Sequence, residues 1–200
     1  MKDREKILRY FAATGEEAKE MAIRLLDIAD TVDRGRPFAV GPFMSPFAAQ
    51  VGQTVAAHMN TVTVQISGGY HEAERIRVAF LRNDYEGPVD FGMTALSVTW
   101  DDRYRLIGHR DVLGSLMGLG IERSVLGDIL MQGAGCQIVA DAGIAEWLIQ
   151  NFVKVAMVPV HVEEIPLSEL TPPVKTPKEV KATVASLRLD AVGAAGFGIS

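Results

Sequence analysis

The sequence predicts an α+β protein of two domains: an N-terminal domain of helices with a small sheet, and then a ferredoxin-like βαββαβ domain. Three observations support this fold class. Apolar residues recur at helical spacing in the first third of the chain. Polar and apolar residues alternate in two short runs before residue 83, as in half-buried strands. The second half then has strand and helix patterns in the order β-α-β-β-α-β, which is the ferredoxin-like arrangement.

The N-terminal domain is assigned to residues 1–88 and begins with two helices. The first is short and amphipathic. Thr14 and Glu17 then fit a capping box, in which each side chain bonds the other residue's backbone amide, before a longer helix with one apolar face. Gly35 and Pro37 are expected to end that helix.

A loop rich in proline and phenylalanine follows, and it leads to a third helix and two strands. Ser45 and Pro46 mark the expected start of the helix, with serine as its N-cap and proline in its first turn. The helix is expected to reach about His58. Alternating residues then predict strands over 61–66 and 75–81, which are separated by a glycine break.

The second domain is assigned to residues 89–165, and a proline-containing linker over 166–182 follows it. Its expected strands are 94–99, 127–132, 137–140 and 158–163, and its expected helices are 109–119 and 141–155, the second one capped by Asp141. Gly114 and Gly118 are expected to let the first of these helices approach the sheet closely. Gly120 suits a left-handed C-cap.

Composition and charge limit the possible function. The 200 residues are 48% hydrophobic and carry a net charge of −5. No run of eighteen apolar residues and no signal-peptide pattern is present, so we expect a cytoplasmic protein without a membrane partner. The single cysteine excludes an intramolecular disulfide and a multi-cysteine zinc site. Because the net charge is negative, any phosphate binding must depend on local basic clusters.

Three stretches of the chain resemble the YlmH-type bacterial RNA-binding proteins. They are SGGYHEAERIR at 67–77, HRDVLGSLMGLGIERSVLGDI at 109–129 and TVASLRLDAVGAAGFGIS at 183–200. The third is similar to the opening of the RNA-binding module named after ribosomal protein S-four. Because the chain ends where the second helix of that module would begin, we expect the module to be truncated or degenerate.

The resemblance implies an N-terminal α+β domain, an RNA-recognition-like central domain and the start of the terminal module. It also implies a non-catalytic factor that binds ribosomal RNA or tRNA on the large ribosomal subunit. The roles implied are ribosome-associated quality control of obstructed nascent chains and a link to cell-division gene clusters. No cofactor, metal or DNA partner is expected.

The first candidate RNA contacts surround the glycine break between the two N-terminal strands. The glycines could let the backbone approach a phosphate, and Tyr70 could stack on an unpaired base. Arg75 and Arg77 have the same parity on the predicted strand, so they could form a two-arginine phosphate clamp. The alternative is an ordinary glycine hairpin with a solvated charged face.

The second group of candidates lies at the start of the helix predicted from residue 109. His109 and Arg110 could offer donors to RNA phosphates where free helix amides also attract anions. The alternative is a plain helix entry, in which Asp111 accepts backbone amides. A kinase loop is excluded because Leu116 stands where a magnesium-binding asparagine would be needed.

Two further arginines complete the predicted RNA contacts. Arg123 lies close in sequence to three other arginines, at positions 103, 105 and 110, which together could touch an RNA backbone from the helical side of the domain. Arg188 opens the terminal module. The predicted sheet strands carry no aromatic residue before Trp100, so the sheet face is not expected to stack single-stranded RNA.

The sequence offers no catalytic site. The four histidines lack metal-ligand spacing, and no nucleophile elbow or phosphate loop is present. Two other functions remain open. One is an RNA-modifying enzyme related to pseudouridine synthases or methyltransferases, since Arg188-Leu189-Asp190 superficially resembles a catalytic loop. The other is a protein-interaction scaffold that does not bind RNA.

Overall fold

The computed structural model describes residues 4–69, 75–101, 103 and 106–174. The N-terminal half contains three helices and three strands: α1 (Arg4–Thr14), α2 (Glu16–Asp33), β1 (Phe38–Val40), α3 (Phe47–Met59), β2 (Val62–Gly68) and β3 (Ile76–Arg82). The strands form an antiparallel sheet in the order β1-β3-β2. Helices α2 and α3 pack against one face of this sheet, and its central strand β3 is buried on both faces from Ile76 to Leu81.

The second half has the βαββαβ order with one extra short strand. Its elements are β4 (Met93–Trp100), α4 (His109–Gly118), β5 (Leu126–Gln132), β6 (Gly135–Asp141), α5 (Ala145–Asn151), β7 (Lys154–Val155) and β8 (Val158–Ile165). The sheet is antiparallel and has the order β5-β6-β4-β8-β7. Without β7 this is the ferredoxin-like order, so the predicted α+β fold class is confirmed.

Each half has its own hydrophobic core. The N-terminal core includes fully buried residues of α1 and α2 such as Ile7 and Leu25, together with Phe80 of β3. The second core lies between the five-stranded sheet and α4 and α5, and it includes Leu116, Ile138 and Phe152. No described helix combines the length and apolar character needed to cross a bilayer.

Two predicted helix starts differ from those observed. The expected capping box at Thr14 is wrong, because α2 takes Gly15 as its N-cap and has no side-chain cap hydrogen bond. The Thr14 hydroxyl instead donates to the Tyr10 carbonyl within α1, at 3.2 Å. Helix α3 begins after Pro46, and the Ser45 backbone carbonyl, not its hydroxyl, accepts the Ala48 amide.

Helix α5 begins at Ala145, after a 3-10 helix over Ala142–Ile144, and it ends four residues before the predicted residue 155. It ends at Asn151, and Lys154 and Val155 form a hairpin with β8. The turn of this hairpin is made by Ala156 and Met157, both with positive φ (48° and 69°). Such a turn normally carries glycine or asparagine, so alanine and methionine at these positions do not indicate a turn.

The predicted role of two glycines in α4 is also wrong. A Cβ atom at Gly114 or Gly118 would meet no other atom within 4 Å, and both residues are exposed. They therefore lie on the outer face of α4 and do not bring it closer to the sheet. Gly120 has a φ of +86°, which fits its predicted place just after the helix.

Candidate nucleic-acid interface

A single aromatic side chain, Phe43, links the two halves of the chain. It lies in the loop between β1 and α3 and is 2% exposed. Its backbone amide donates to the Ser124 carbonyl at 2.8 Å. A Cβ at Gly127 would lie 2.8 Å from the Phe43 ring and 3.0 Å from Val139, so the ring packs on the sheet of the second domain. Gly127 is therefore a position where only a hydrogen leaves room for the ring.

Arg77 joins the same two halves through hydrogen bonds and is 9% exposed. Its Nε donates to the Gly41 carbonyl at 2.8 Å, and its Nη1 donates to the Gly92 carbonyl at 3.1 Å and to Asp141 Oδ2 at 2.9 Å. The guanidinium carbon also lies 5.0 Å from the centre of the Phe43 ring. Arg77 thus contacts a loop, the inter-domain connection and the end of β6 at once.

Arg75 makes a second set of contacts across the junction. Its Nη2 donates to the carbonyls of Phe43 (3.0 Å) and Arg123 (2.7 Å), and its backbone amide donates to Asp128 Oδ1 at 2.9 Å. Burial lowers the pKa of Arg75, and the nearby charge of Arg123 lowers it further, while Asp128 acts in the opposite direction. The structure therefore brings together three of the predicted arginines, at positions 75, 77 and 123.

This arrangement differs from the predicted phosphate clamp. Arg75 and Arg77 do point to one side, as their parity predicts, but that side faces the second domain. Their hydrogen-bond donors are directed at carbonyl and carboxylate oxygens of the protein itself. A phosphate would have to replace these contacts, so the two side chains stabilise the domain junction.

The start of α4 is open. Gly108 is the N-cap, and its backbone amide donates to Asp111 Oδ2 at 2.9 Å, which matches the predicted helix entry. His109 is half-buried, and Arg110 is exposed with no hydrogen bond or ion pair to a described residue. Arg110 is therefore available to an anion at the helix end where the backbone dipole also attracts negative charge.

Arg110 and Arg123 lie toward opposite ends of α4. Arg110 lies in the first turn of α4 and Arg123 lies beyond the end of this helix, which is about 15 Å long at 1.5 Å per residue. Arg103 is held by Asp101, whose carboxylate oxygens accept from the Arg103 Nε at 2.9 and 2.8 Å. These hydrogen bonds lower the pKa of Asp101. The grouping of these arginines along the helical side therefore stays a prediction.

The sheet face opposite the helices is covered over β5 and β6, whereas the part over β8 and the end of β4 is open, with Thr99, His161 and Glu163 exposed. Ala95 and Val139 on this face are 0% exposed, and Leu130 is 2% exposed. Phe43 covers one end of the face. Residues 166–174 cross it further along, where Gln132 and Gln137 bond their backbone. Trp100 belongs to the helical side of the sheet, in the core.

The outer face of α4 gives a direct test of its glycines. We expect Gly114→Ala to raise the free energy of unfolding by about 0.5–1 kcal/mol, because alanine restricts the unfolded chain and nothing obstructs its methyl group here. Urea denaturation measures the change. Gly52→Ala in α3 is the matched control, since its Cβ would lie 3.0 Å from Val78 and no such gain is expected. A loss of stability in Gly114→Ala would instead mean that the residue is packed.

Two predicted RNA contacts, Tyr70 and Arg188, lie outside the described residues, as does Arg105. Four residues important to the geometry were not singled out from the sequence as site residues: Phe43, Gly92, Gln132 and Gln137. Phe43 is one of several phenylalanines in a proline-rich loop. The glutamines lie on strands whose pattern indicates only that one face is polar. Among the described residues, no group of three histidine, cysteine, aspartate or glutamate side chains could hold a metal ion.

Two family models match the chain, one in each domain. Residues 17–85 match "YlmH, N-terminal", and residues 87–169 match "Putative RNA-binding domain in YlmH". A curated relative, "Ribosome-associated protein quality control protein P2" of Bacillus subtilis (strain 168), is 37% identical over 133 residues. The match covers 66% of this chain and 51% of the relative, so the chain spans about half the length of that relative.

A solved structure shares the fold. It is "Cell division protein ylmH from Streptococcus pneumoniae", which superposes with a TM-score of 0.65 at 23% sequence identity. The superposition covers 78% of this chain and 94% of the other. The likeness therefore extends over both domains.

Proposed function

Because the chain belongs to the YlmH family, with the two domains of that family present in order, we propose that it is a non-catalytic RNA-binding factor of the ribosome. Its target is ribosomal RNA or tRNA on the large subunit. Its task is ribosome-associated protein quality control, which the name of the relative states, and it acts there on obstructed nascent chains. The observation that carries the proposal is the match of residues 87–169 to the RNA-binding domain of the family.

The RNA-contacting surface of the central domain is its helical side. Part of the sheet face, which RNA-recognition domains use for base stacking, is occupied by Phe43 and by residues 166–174. The part left open carries Thr99, His161 and Glu163 and, among the described residues, no phenylalanine, tyrosine or tryptophan. The start of α4 remains open, with Arg110 exposed and His109 beside it. The outer face of α4 behind them carries Gly114, which would let an RNA backbone come close to the helix.

Binding by this domain is weak on its own and gains strength through linkage. The chain carries a net charge of −5, so few phosphates are neutralised at once. Residues 183–200 resemble the start of a second RNA-binding module, and Arg188 is its candidate contact. Two weak modules on one chain raise the overall affinity, because binding of the first increases the effective concentration of the second.

Co-sedimentation with purified ribosomal subunits over a salt series tests the proposal. We expect the protein to sediment with the large subunit and to dissociate as salt rises, because phosphate contacts release counterions. The small subunit is the internal comparison. An RNA methyltransferase would instead add a methyl group to a target nucleotide, which mass spectrometry of the recovered RNA detects. A pseudouridine synthase would isomerise a uridine without a change of mass, which carbodiimide labelling of the recovered RNA detects. Sedimentation with neither subunit would contradict the proposal.

Charge reversal at the start of α4 locates the contact. We expect Arg110→Glu to weaken binding about tenfold at moderate salt and to reduce the salt dependence by about one phosphate contact. Arg24→Glu is the matched control, because Arg24 is an exposed helical arginine of the other domain. Both variants should unfold like the parent protein. Equal binding by Arg110→Glu and Arg24→Glu would argue against a contact at α4.

A further inference from the structure

The segment that follows β8 crosses the sheet face and does not leave the domain directly. This segment, residues 166–174, is called the strap here. It includes a short 3-10 helix over Leu167–Glu169 and then runs toward the edge strand β5. There the Val174 amide donates to the Met131 carbonyl at 2.6 Å. The strap therefore begins at β8 and reaches the opposite side of the four-stranded ferredoxin-like core.

Two glutamine side chains hold the strap. Gln137 of β6 donates to the Glu169 carbonyl at 3.1 Å and accepts the Thr171 amide at 2.8 Å. Gln132 of β5 donates to the carbonyls of Thr171 (3.1 Å) and Pro172 (3.3 Å), and it accepts the Thr171 hydroxyl at 2.9 Å. Each glutamine thus uses both its amide nitrogen and its oxygen on the strap.

We propose that Gln132 and Gln137 form a clasp that fixes the strap on the sheet, so that the following chain departs from the β5 edge at a defined point. Four of the contacts are to backbone groups of Glu169, Thr171 and Pro172, and the Thr171 hydroxyl adds a side-chain contact to each glutamine, so the clasp recognises mainly the peptide backbone, together with a hydroxyl at position 171. Pro172 and Pro173 limit the conformations of the strap and have no amide hydrogen that would need a partner. The clasp thereby holds residues 166–174, the first part of the predicted linker, against the domain.

The clasp also sets the reach of the chain beyond it, and this consequence rests on the proposed function. Without the clasp, residues 166–182 connect β8 to residues 183–200, which resemble the start of an RNA-binding module. With it, residues 175–182 alone lie between the strap and that stretch of sequence. Because effective concentration falls as about the −3/2 power of tether length, shortening the connection from residues 166–182 to residues 175–182 raises it roughly threefold. The two RNA contacts are therefore held at a shorter and better defined separation.

Amide hydrogen exchange tests the clasp without reference to RNA. In the parent chain, the amides of Thr171 and Val174 should be protected, since both donate hydrogen bonds. In the double variant Gln132→Ala/Gln137→Ala, we expect both amides to exchange at least about tenfold faster. A control variant, Gln50→Ala/Gln65→Ala, removes two exposed glutamines of the other domain and should leave both rates unchanged. Unchanged protection in the clasp variant would overturn the proposal.

Ribosome co-sedimentation of the same variants tests the consequence for binding. We expect the clasp variant to bind about threefold more weakly than the parent at one salt concentration, and the control variant to bind equally. Faster exchange with unchanged binding would overturn the role of the clasp in positioning. If the parent protein sediments with no particle, the proposed function fails, and the exchange rates alone decide whether the clasp exists.

Discussion

Replacement of Arg77 by methionine is expected to lower the free energy of unfolding by about 3 kcal/mol. The substitution keeps an unbranched side chain of similar bulk but removes every donor to Gly41, Gly92 and Asp141. Loss of one partner of a buried ion pair costs about 3–5 kcal/mol, because the other charge stays desolvated. The lower end applies here, since the Asp141 side chain is 29% exposed. Urea denaturation followed by circular dichroism gives the value.

Arg82→Met is the matched control for this change. Arg82 lies on the same strand as Arg77, but its side chain is 44% exposed and its partner Asp84 is 71% exposed. An ion pair so exposed contributes less than about 1 kcal/mol. If Arg77→Met lost no more stability than Arg82→Met, the junction would not depend on the buried guanidinium. Arg77→Lys should fall between them, because one ammonium group cannot reach three separate acceptors.

Replacement of Phe43 by alanine is expected to lower the free energy of unfolding by about 3–4 kcal/mol. The two domains are then expected to unfold in separate transitions. Burial of the ring is nearly complete, and its removal leaves a cavity beside Gly127 and Val139. Both tryptophans, Trp100 and Trp147, belong to the central domain, so tryptophan fluorescence reports that domain alone. Circular dichroism reports both domains. The two transitions should coincide in the parent chain and diverge in the variant.

Phe47→Ala serves as the comparison, because Phe47 lies four residues further along and is 37% exposed. This variant should lose about 1 kcal/mol or less of unfolding free energy, and its fluorescence and circular-dichroism transitions should stay coincident. Equal losses from the two alanine variants, with coincident transitions in both, would show that Phe43 does not couple the domains.

The order of elements was predictable because each depends on local sequence. The periodicity of α2 and the alternation in β4 depend on neighbouring residues only, and both elements lie within two residues of their predicted bounds. The ferredoxin-like sheet order follows from the element order by ordinary connection rules. The fold class could therefore be predicted from the sequence pattern alone.

The environment of Arg75 and Arg77 was not predictable in the same way. Their parity shows that they share a face, but not what covers it. Arg77 and Asp141 are 64 positions apart, and nothing local records that they meet. An arginine that faces solvent and one that faces another domain have the same strand pattern. The sequence therefore could not show that the donors of the predicted clamp are directed at oxygen atoms of the protein itself.

The glycines of α4 and the glutamines of the clasp show a related limit. Gly114 in an apolar helix favours close packing, since glycine is otherwise costly there. In the structure, a Cβ built at Gly114 would meet nothing within 4 Å. Close packing within the domain therefore does not account for the helix stability that glycine costs at this position. Gln132 and Gln137 look like ordinary polar positions of a half-exposed sheet. Their role appears only when the strap is present above them.

The contacts of Arg75 and Arg77 at the domain junction should change little as salt rises, whereas a contact of Arg110 with RNA should weaken. Arg75 and Arg77 donate mainly to neutral main-chain carbonyls inside the protein, where dissolved ions do not reach. Arg110 lies in water and would face a phosphate, whose attraction mobile ions screen. The two domains therefore keep one fixed geometry at ionic strengths that release RNA. The same guanidinium group thus stabilises the domain junction at two positions and would bind RNA reversibly at a third.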